Sequence, residues 1–261
     1  MIKVINNRID GSLFHYAHFL CDCLFPEIIN NIYNYDEVIR EKTIHQTIGN
    51  FDRIYMDVMK NTNIELLSDK FNEVNINTIT YKPKEYYINK IYFNKFRDYI
   101  FSRYNINHIS YNSNYPEVLL IKRGDRIKLI NDTYLSNINR NVTTGKERRE
   151  IKDIDVIESY LELNCKDRFK SIYFENLSFE EQVLYFNNAK LIVCAHGAVM
   201  SNMFFCKEEA IILEVTCNKT WDFFDKMSNI LNLKHIKCHN NNHNDIINCI
   251  SEINKLYSIF Q

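Results

Sequence analysis

The chain has 261 residues, which is enough to bury a substantial core in one large domain or two small ones. Its 32 Lys and Arg nearly balance its 33 Asp and Glu, so no overall basic field points to nucleic acid as the main partner. The hydrophobic fraction of 46% and the charged fraction of 25% are ordinary for a soluble globular protein, so binding is expected to depend on local groups of residues.

The first part of the chain, residues 1–113, is predicted to form one lobe. A helix is expected around His18 and on towards Arg40, and residues 50–59 alternate enough to suggest a strand and a turn. Asn, Ser and Pro116 cluster just before an apolar strand, and this cluster marks the boundary. The other elements predicted in this lobe are strand-like pieces at Thr78–Tyr81 and Lys90–Phe93 and a helix at Lys95–Arg103.

The second part of the chain alternates strands and helices, which predicts an α/β fold with a parallel sheet. Ser178 and Glu181 form a capping-box pair, so a helix is expected to begin near Phe179. Leu191–Ala195 is a short continuous apolar run, which is typical of a strand covered on both faces. The remaining predictions are strands at Val118–Ile121, Ser171–Phe174 and Ile211–Leu213, and helices at Ile154–Leu163, Ala198–Phe205, Trp221–Leu231 and Asn244–Phe260.

Polar residues follow two of these strands. His196 and Gly197 come after the first apolar strand, and Glu214 is expected to end the next one. In open parallel sheets, ligands bind outside the carboxyl ends of the strands. Small residues at Gly197, Ala198 and Ser201 let the backbone approach a ligand, and a helix that begins there directs its N–H groups at an anion. The pattern favours a phosphate or nucleotide site, although a purely structural histidine remains the alternative.

The composition also bears on origin and location. Asn, Ile, Lys and Tyr are abundant beside only 5 Gly and 3 Pro, a bias typical of AT-rich coding sequence in a virus, a parasite or a low-GC microbe. His and Asp interrupt the apolar run Leu13–Leu24, which argues against a signal peptide, and no run of about 18 apolar residues could span a membrane. We expect a soluble, cytoplasmic protein, or a catalytic piece without its anchor, with 8 reduced and mostly buried Cys.

Three segments resemble glycosyltransferase family 61. The string LSFEEQVLYFNNAKLIVCAHGAVMSNMFF, followed by IILEV, is similar to the C-terminal signature of that family. The matching positions are Leu177, Ser178, Phe179, Gln182, Phe186, Ala189, His196, Gly197, Ala198, Asn202, Phe205 and Glu214. The segment GSLFHYAHFLCDCLFPEI matches an earlier one at His18, Phe19, Leu20, Asp22, Leu24 and Pro26. A third family segment is similar to VLLIKRG and, further along, to RREIKDIDVIESYLE. Residues 124–147, which lie between these two strings, look like an insertion relative to the family pattern. No part of the resemblance covers residues 30–113.

The resemblance implies a fold and an activity. The fold would be a compact, two-lobed, GT-B-like α/β fold with an acceptor-side lobe at 1–113, a Rossmann-like donor lobe at 114–243, and a C-terminal helix at 244–261 able to cross back to the first lobe. The activity would be that of an inverting, metal-independent hexosyl- or pentosyltransferase. It would move a sugar from a nucleotide donor, expected to be a UDP-sugar, to a hydroxyl on a glycan or protein. No cofactor besides this co-substrate is expected, and the oligomeric state stays open.

The first matched segment offers a base. His18 and Asp22 are four residues apart, so on a helix they lie on the same face. Inversion needs one group that takes the proton of the acceptor hydroxyl as it attacks, and a carboxylate or an imidazole can do this. The resemblance implies that Asp22 is the base and that His18 orients it or is the second candidate. The alternative is a helix whose polar face simply meets water.

Arginines offer a site for the leaving group. Guanidinium groups match phosphate oxygens two at a time, and each such charge-assisted contact contributes about 1.5–3 kcal/mol, so they could replace a metal. By resemblance, the turn at His196 holds the diphosphate, Asn202 braces that turn, and Glu214 contacts the ribose hydroxyls. The full donor-binding set is Arg123, Arg149, His196, Gly197, Ala198, Asn202 and Glu214. Alternatively, the basic residues form only a solvated face.

No metal ligand is assigned. Asp153-Ile154-Asp155 has the Asp-x-Asp pattern of some metal-binding glycosyltransferases, but it precedes the apolar positions of a helix and is predicted to cap that helix. His235, Cys238, His239 and His243 have a loosely zinc-like spacing, but they are predicted to lie in a solvated Asn-rich loop.

Two other classes of function stay open. One is a metal-dependent hydrolase that uses His15, His18, Asp22 and His196 around one ion. The other is a non-catalytic module that binds nucleotide sugars or glycans, which the small size of the chain favours a little.

Overall fold

The computed structural model describes residues 3–5, 15–29, 43–46, 51–60, 64–67, 78–79, 89–124, 149–216, 222–239 and 242–260. The chain divides into two compact units, Met1–Tyr104 with Lys128–Val142, and Asn105–Ile127 with Thr143–Gln261. The fold is mixed α/β, as predicted, and each unit contains a parallel sheet. The lobe boundary drawn from sequence at residue 113 stays a prediction.

The first unit has a four-stranded sheet in the part that the structure describes. Its strands are β1 (Lys3–Ile5), β2 (Thr43–Gln46), β3 (Ile64–Leu67) and β4 (Thr78–Ile79). They are parallel and lie in the order β3-β2-β1-β4. The strand predicted around Thr78 is confirmed at its first two residues.

The predicted helix around His18 is confirmed as α1, a helical segment in three parts. Tyr16–His18 is α-helical, Phe19–Leu24 forms a π-helix, and Phe25–Ile28 is α-helical again. A π-helix is rare and is frequently found at functional sites. The expected continuation towards Arg40 lies outside the described residues.

Two predictions in this unit were wrong. Residues 52–58 form α2 (Asp52–Val58) rather than a strand and turn; Tyr55 and Val58 are three residues apart and both buried, as on one face of a helix. The strand-like piece at Lys90 is instead the first turn of α3 (Lys90–Arg103), where the Asn89 side chain accepts from the N–H of Ile91. The helix predicted from Lys95 is confirmed and begins five residues earlier.

The second unit has a five-stranded parallel sheet. Its strands are β5 (Val118–Lys122), β6 (Phe169–Tyr173), β7 (Leu191–Ala195), β8 (Ile211–Thr216) and β9 (Lys234–His239), in the order β6-β5-β7-β8-β9. The chain passes from β5 to β6 on one side and then returns to β7 on the other side of β5. The strand order therefore reverses between β5 and β7, and such a reversal creates a crevice where ligands bind.

Helices cover this sheet. They are α4 (Ile154–Cys165), α5 (Phe179–Asn188), α6 (Phe223–Ile230) and α7 (His243–Tyr257). One core cluster joins inward residues of β5, β7 and β8 to α4 and to Ile246, Ile250 and Ile253 of α7. Full burial of such a side chain contributes about 1.5–3 kcal/mol. The apolar face of α7 thus packs in the core of the second unit. The crossing of this helix to the first lobe stays a prediction.

The capping-box helix near Phe179 and the strand at Leu191–Ala195 are confirmed. Three other predictions need correction. Ala198–Phe205 is a 3-10 helix rather than an α-helix. Glu214 lies inside β8 rather than at its end, because the next two residues still pair with β9. Residues 234–239 form strand β9 rather than a solvated loop, and Cys238 is buried there.

The described cysteines are free, and all of them except Cys249 are buried. Burial raises the pKa of the Cys165 thiol to about 11. None of the helices in the described segments is both long enough and apolar enough to pass through a membrane.

Candidate functional site

The reversal between β5 and β7 is occupied by His196 and two arginines. His196 directly follows β7, and its N–H donates to the carbonyl of Val215 on β8 at 3.0 Å. Arg123, one residue beyond β5, donates from Nη1 to the carbonyl of His196 at 3.4 Å, and Arg149 donates from Nη1 to the same oxygen at 3.2 Å. The structure thus brings together three of the predicted donor-binding residues at the carboxyl edge of the sheet.

The two guanidinium groups concentrate positive charge at this edge. Both are protonated at any pH a protein experiences, and two like charges that meet at one oxygen repel each other. The shared carbonyl oxygen carries a partial negative charge and offsets part of that repulsion. An anion with two charges, such as a diphosphate, would offset more of it.

Gly197 leaves room for this arrangement. A Cβ atom built on Gly197 would lie 3.0 Å from Nη1 of Arg123, closer than ordinary van der Waals contact. The position therefore favours glycine because the Arg123 guanidinium approaches the backbone there. The sequence predicts that a ligand makes this close approach. Ala198 begins the 3-10 helix that follows.

Asn202 links that 3-10 helix to α5. It is fully buried, and its Nδ2 donates to Oε1 of Gln182 at 3.4 Å. Gln182 in turn donates to the carbonyls of Phe174 and Leu177, each at 3.3 Å. If Asn202 braces the turn after β7, it needs a link of this kind to a neighbouring helix. That role of Asn202 stays a prediction.

Glu214, like Asn202, is fully buried. Its side chain has 0% exposure; Oε1 accepts from Nδ1 of His196, and Oε2 accepts from Nε2 of His235 at 2.7 Å. Burial alone would raise the pKa of the Glu214 carboxyl, but the hydrogen bonds from both imidazoles outweigh burial and lower its pKa to about 2. Both oxygens of Glu214 are thus engaged and its side chain has no exposed surface, and its predicted contact with a ribose stays a prediction.

His235 was not among the predicted site residues. Its side chain is 4% exposed on β9, and Nδ1 lies 3.3 Å from Oδ1 of Asp225 on α6. Lys237 donates to the other oxygen of Asp225 at 2.5 Å. The alternation of polar and apolar residues from His235 to Cys238 is the signal that could have revealed this strand.

In the first unit, the predicted pair is formed. Nδ1 of His18 donates to Oδ2 of Asp22 at 2.6 Å across one turn of α1. The His18 side chain is 45% exposed and that of Asp22 is 18% exposed, while their neighbours Phe19, Leu20 and Cys23 are buried. The ring of His15 contacts that of His18 edge-on.

Asp153 occupies the predicted cap position of α4, but its side chain makes no capping hydrogen bond. It instead accepts from Nδ1 of His243 at 2.9 Å. Across the described ranges, no three or more His, Cys, Asp or Glu side chains come together in a group that could hold a metal ion.

The profile of the family described as Glycosyltransferase 61 matches residues 16–213. This span begins in α1 and ends inside β8, so it includes Asp22, Arg123 and His196, whereas Glu214 and His235 lie beyond it. Among curated proteins, none matches the chain. Because the matched span covers most of the sequence and contains the arginines that converge after β7, the chain belongs to glycosyltransferase family 61.

Proposed function

We propose that this protein is an inverting, metal-independent glycosyltransferase that moves a sugar from a UDP-sugar to a hydroxyl on a glycan or protein. The observation that carries the proposal is the convergence of Arg123 and Arg149 on the His196 carbonyl at the reversal in strand order, in a chain of this family. The proposed GT-B-like architecture is supported by the parallel sheet in each of the two units.

The proposed reaction breaks one bond and forms one. Asp22 takes the proton of the acceptor hydroxyl as its oxygen attacks the anomeric carbon. The bond from that carbon to the diphosphate oxygen breaks, and the diphosphate leaves with the electron pair. Arg123 and Arg149 then stabilise the charge that develops on the leaving group, which is the role a divalent cation would otherwise fill.

Removing either arginine is expected to weaken UDP binding. We expect Arg149→Gln and Arg123→Gln each to raise the Kd for UDP by about 10- to 150-fold, because each loses charge-assisted hydrogen bonds worth about 1.5–3 kcal/mol. Isothermal titration calorimetry with UDP measures this change.

A matched control lies at the opposite edge of the same sheet. Arg168 precedes β6 and bonds to Glu117 and to the carbonyl of Ile259, at 3.4 and 3.2 Å. Arg168→Gln should leave the Kd for UDP unchanged. No heat with wild-type protein, or equal losses in all three variants, would contradict the proposal.

Chelation tests the metal independence. Because two guanidinium groups supply the positive charge, we expect turnover of a UDP-sugar to be the same with and without EDTA, and purified protein to contain no stoichiometric zinc or manganese by elemental analysis. Loss of activity on chelation, restored by one of these ions, would instead favour the metal-dependent alternative.

A further inference from the structure

A chain of hydrogen bonds connects His196 to side chains on two neighbouring strands and a helix. Glu214 on β8 bridges His196 and His235, and Asp225 on α6 lies 3.3 Å from the far nitrogen of His235. The last three of these residues lie beyond residue 213, where the family match ends. His235 and Asp225 also lie outside the segments that resemble the family signature, so the chain of contacts extends the site beyond those segments.

These side chains are nearly inaccessible. The exposed fractions are 6% for His196, 0% for Glu214 and 4% for His235. A buried carboxylate is stable only with partners, and a fully satisfied buried network holds its members in one arrangement. The three strands that carry the network, β7, β8 and β9, are adjacent in the sheet, so their spacing is fixed by backbone hydrogen bonds.

The hydrogen positions follow from the acceptors. Glu214 is ionised and can only accept, so the ring nitrogen that faces it must donate in both histidines. At the far side of His235, Nδ1 faces Oδ1 of Asp225 and Oγ of Ser228, at 3.3 and 3.4 Å. The Ser228 hydroxyl already donates to the Asp225 carbonyl at 2.9 Å, so both of these oxygens act as acceptors. Each ring nitrogen of His235 therefore faces an acceptor, and the ring lies between two carboxylates.

We propose that His235 is a positioning residue for His196. Nε2 of His235 donates to Oε2 of Glu214 and so holds that carboxylate with Oε1 directed at Nδ1 of His196. Glu214 then holds His196 as the neutral tautomer with its hydrogen on Nδ1, and Nε2 is the acceptor. A neutral acceptor nitrogen fits a hydroxyl of the nucleotide sugar rather than a phosphate oxygen. The identity of that ligand rests on the proposed function. The tautomer of His196 does not, because it is argued from the contacts with Glu214.

The tautomer can be read directly by ¹⁵N NMR of the unliganded protein, with His196 assigned from a His196→Gln variant. We expect the Nδ1–H form in wild type. His235→Leu removes the donor to Oε2 of Glu214, so the carboxylate that faces His196 has one hydrogen bond fewer, and His196 should convert to the protonated form or to a mixture. His235→Gln keeps an amide N–H near the position of Nε2 and should restore the wild-type spectrum.

Activity gives the second readout. On whichever of UDP-glucose, UDP-galactose, UDP-xylose and UDP-N-acetylglucosamine is turned over fastest, His235→Leu should lower kcat/KM by about 10- to 100-fold, with partial rescue in His235→Gln. His239→Leu is the matched control, because it makes the same change on the same strand, where Nδ1 faces Thr216 at 3.2 Å. It should alter neither readout.

The outcomes separate the two proposals. An unchanged His196 spectrum in His235→Leu overturns the inference, whatever the activity. If wild type neither binds UDP nor turns over any of these sugars, the proposed function fails while the NMR result still decides the inference. Should His235→Leu fail to fold, Asp225→Asn replaces it, because Asp225 is 38% exposed. Loss of that carboxylate should shift the His196 spectrum in the same direction, and no shift would count against the proposal.

Discussion

Replacing Asp22 by asparagine is expected to lower kcat by about 100- to 10,000-fold, the usual contribution of a general base, and to leave the Kd for UDP unchanged. The amide has the shape of the carboxylate but cannot take the proton of the acceptor hydroxyl. The donation from His18 at 2.6 Å fixes one oxygen of Asp22, and the 18% exposure of the side chain allows a hydroxyl to reach it. Steady-state turnover of a UDP-sugar and calorimetry with UDP give the two quantities.

The same substitution elsewhere in the first unit provides the control. Asp98 is exposed on α3, and Asp98→Asn should leave kcat unchanged. His18→Gln distinguishes the two candidate bases, since it should lower kcat less than Asp22→Asn if His18 only orients the carboxylate. A kcat within about threefold of wild type in Asp22→Asn, with a large loss in His18→Gln, would transfer the role of base to His18.

Elements with strong local signals were predicted from the sequence. The helix that begins at Phe179 has a reciprocal cap, in which Oγ of Ser178 accepts from the N–H of Glu181 and the Glu181 side chain accepts from the N–H of Ser178. The strand Leu191–Ala195 is buried at every position, so its apolar run needed no alternation to be recognised. Both signals lie within a few residues of the element that they specify.

Features that depend on pairing between distant residues were missed. The end of β8 is set by its register with β9, and β9 itself is an edge strand with Lys and His on it, which resembles a polar loop. Glu214 was assigned to a ligand because it was expected at a strand end. Its contact with His235 joins residues 21 apart, and no local pattern in the sequence indicates that contact.

The difference in the free energy of unfolding between wild type and Glu214→Gln is expected to depend on pH. The folded pKa of Glu214, about 2, lies below its ordinary value of 4.5, so its contribution is fully present above about pH 5 and is lost as pH falls towards 2. The shift corresponds to about 3 kcal/mol. Glu214→Gln should therefore be about 3 kcal/mol less stable than wild type at pH 7, because it removes the buried carboxylate that accepts from both imidazoles.

Urea denaturation at a series of pH values between 7 and 2 tests this expectation. The difference in the free energy of unfolding between wild type and Glu214→Gln should shrink as the wild-type carboxyl takes up its proton, and it should approach zero near pH 2. Glu162→Gln, at an exposed position of α4, should show no such pH-dependent difference. A difference for Glu214→Gln that stays constant across the range would mean that the two imidazoles do not hold this carboxyl in its charged form.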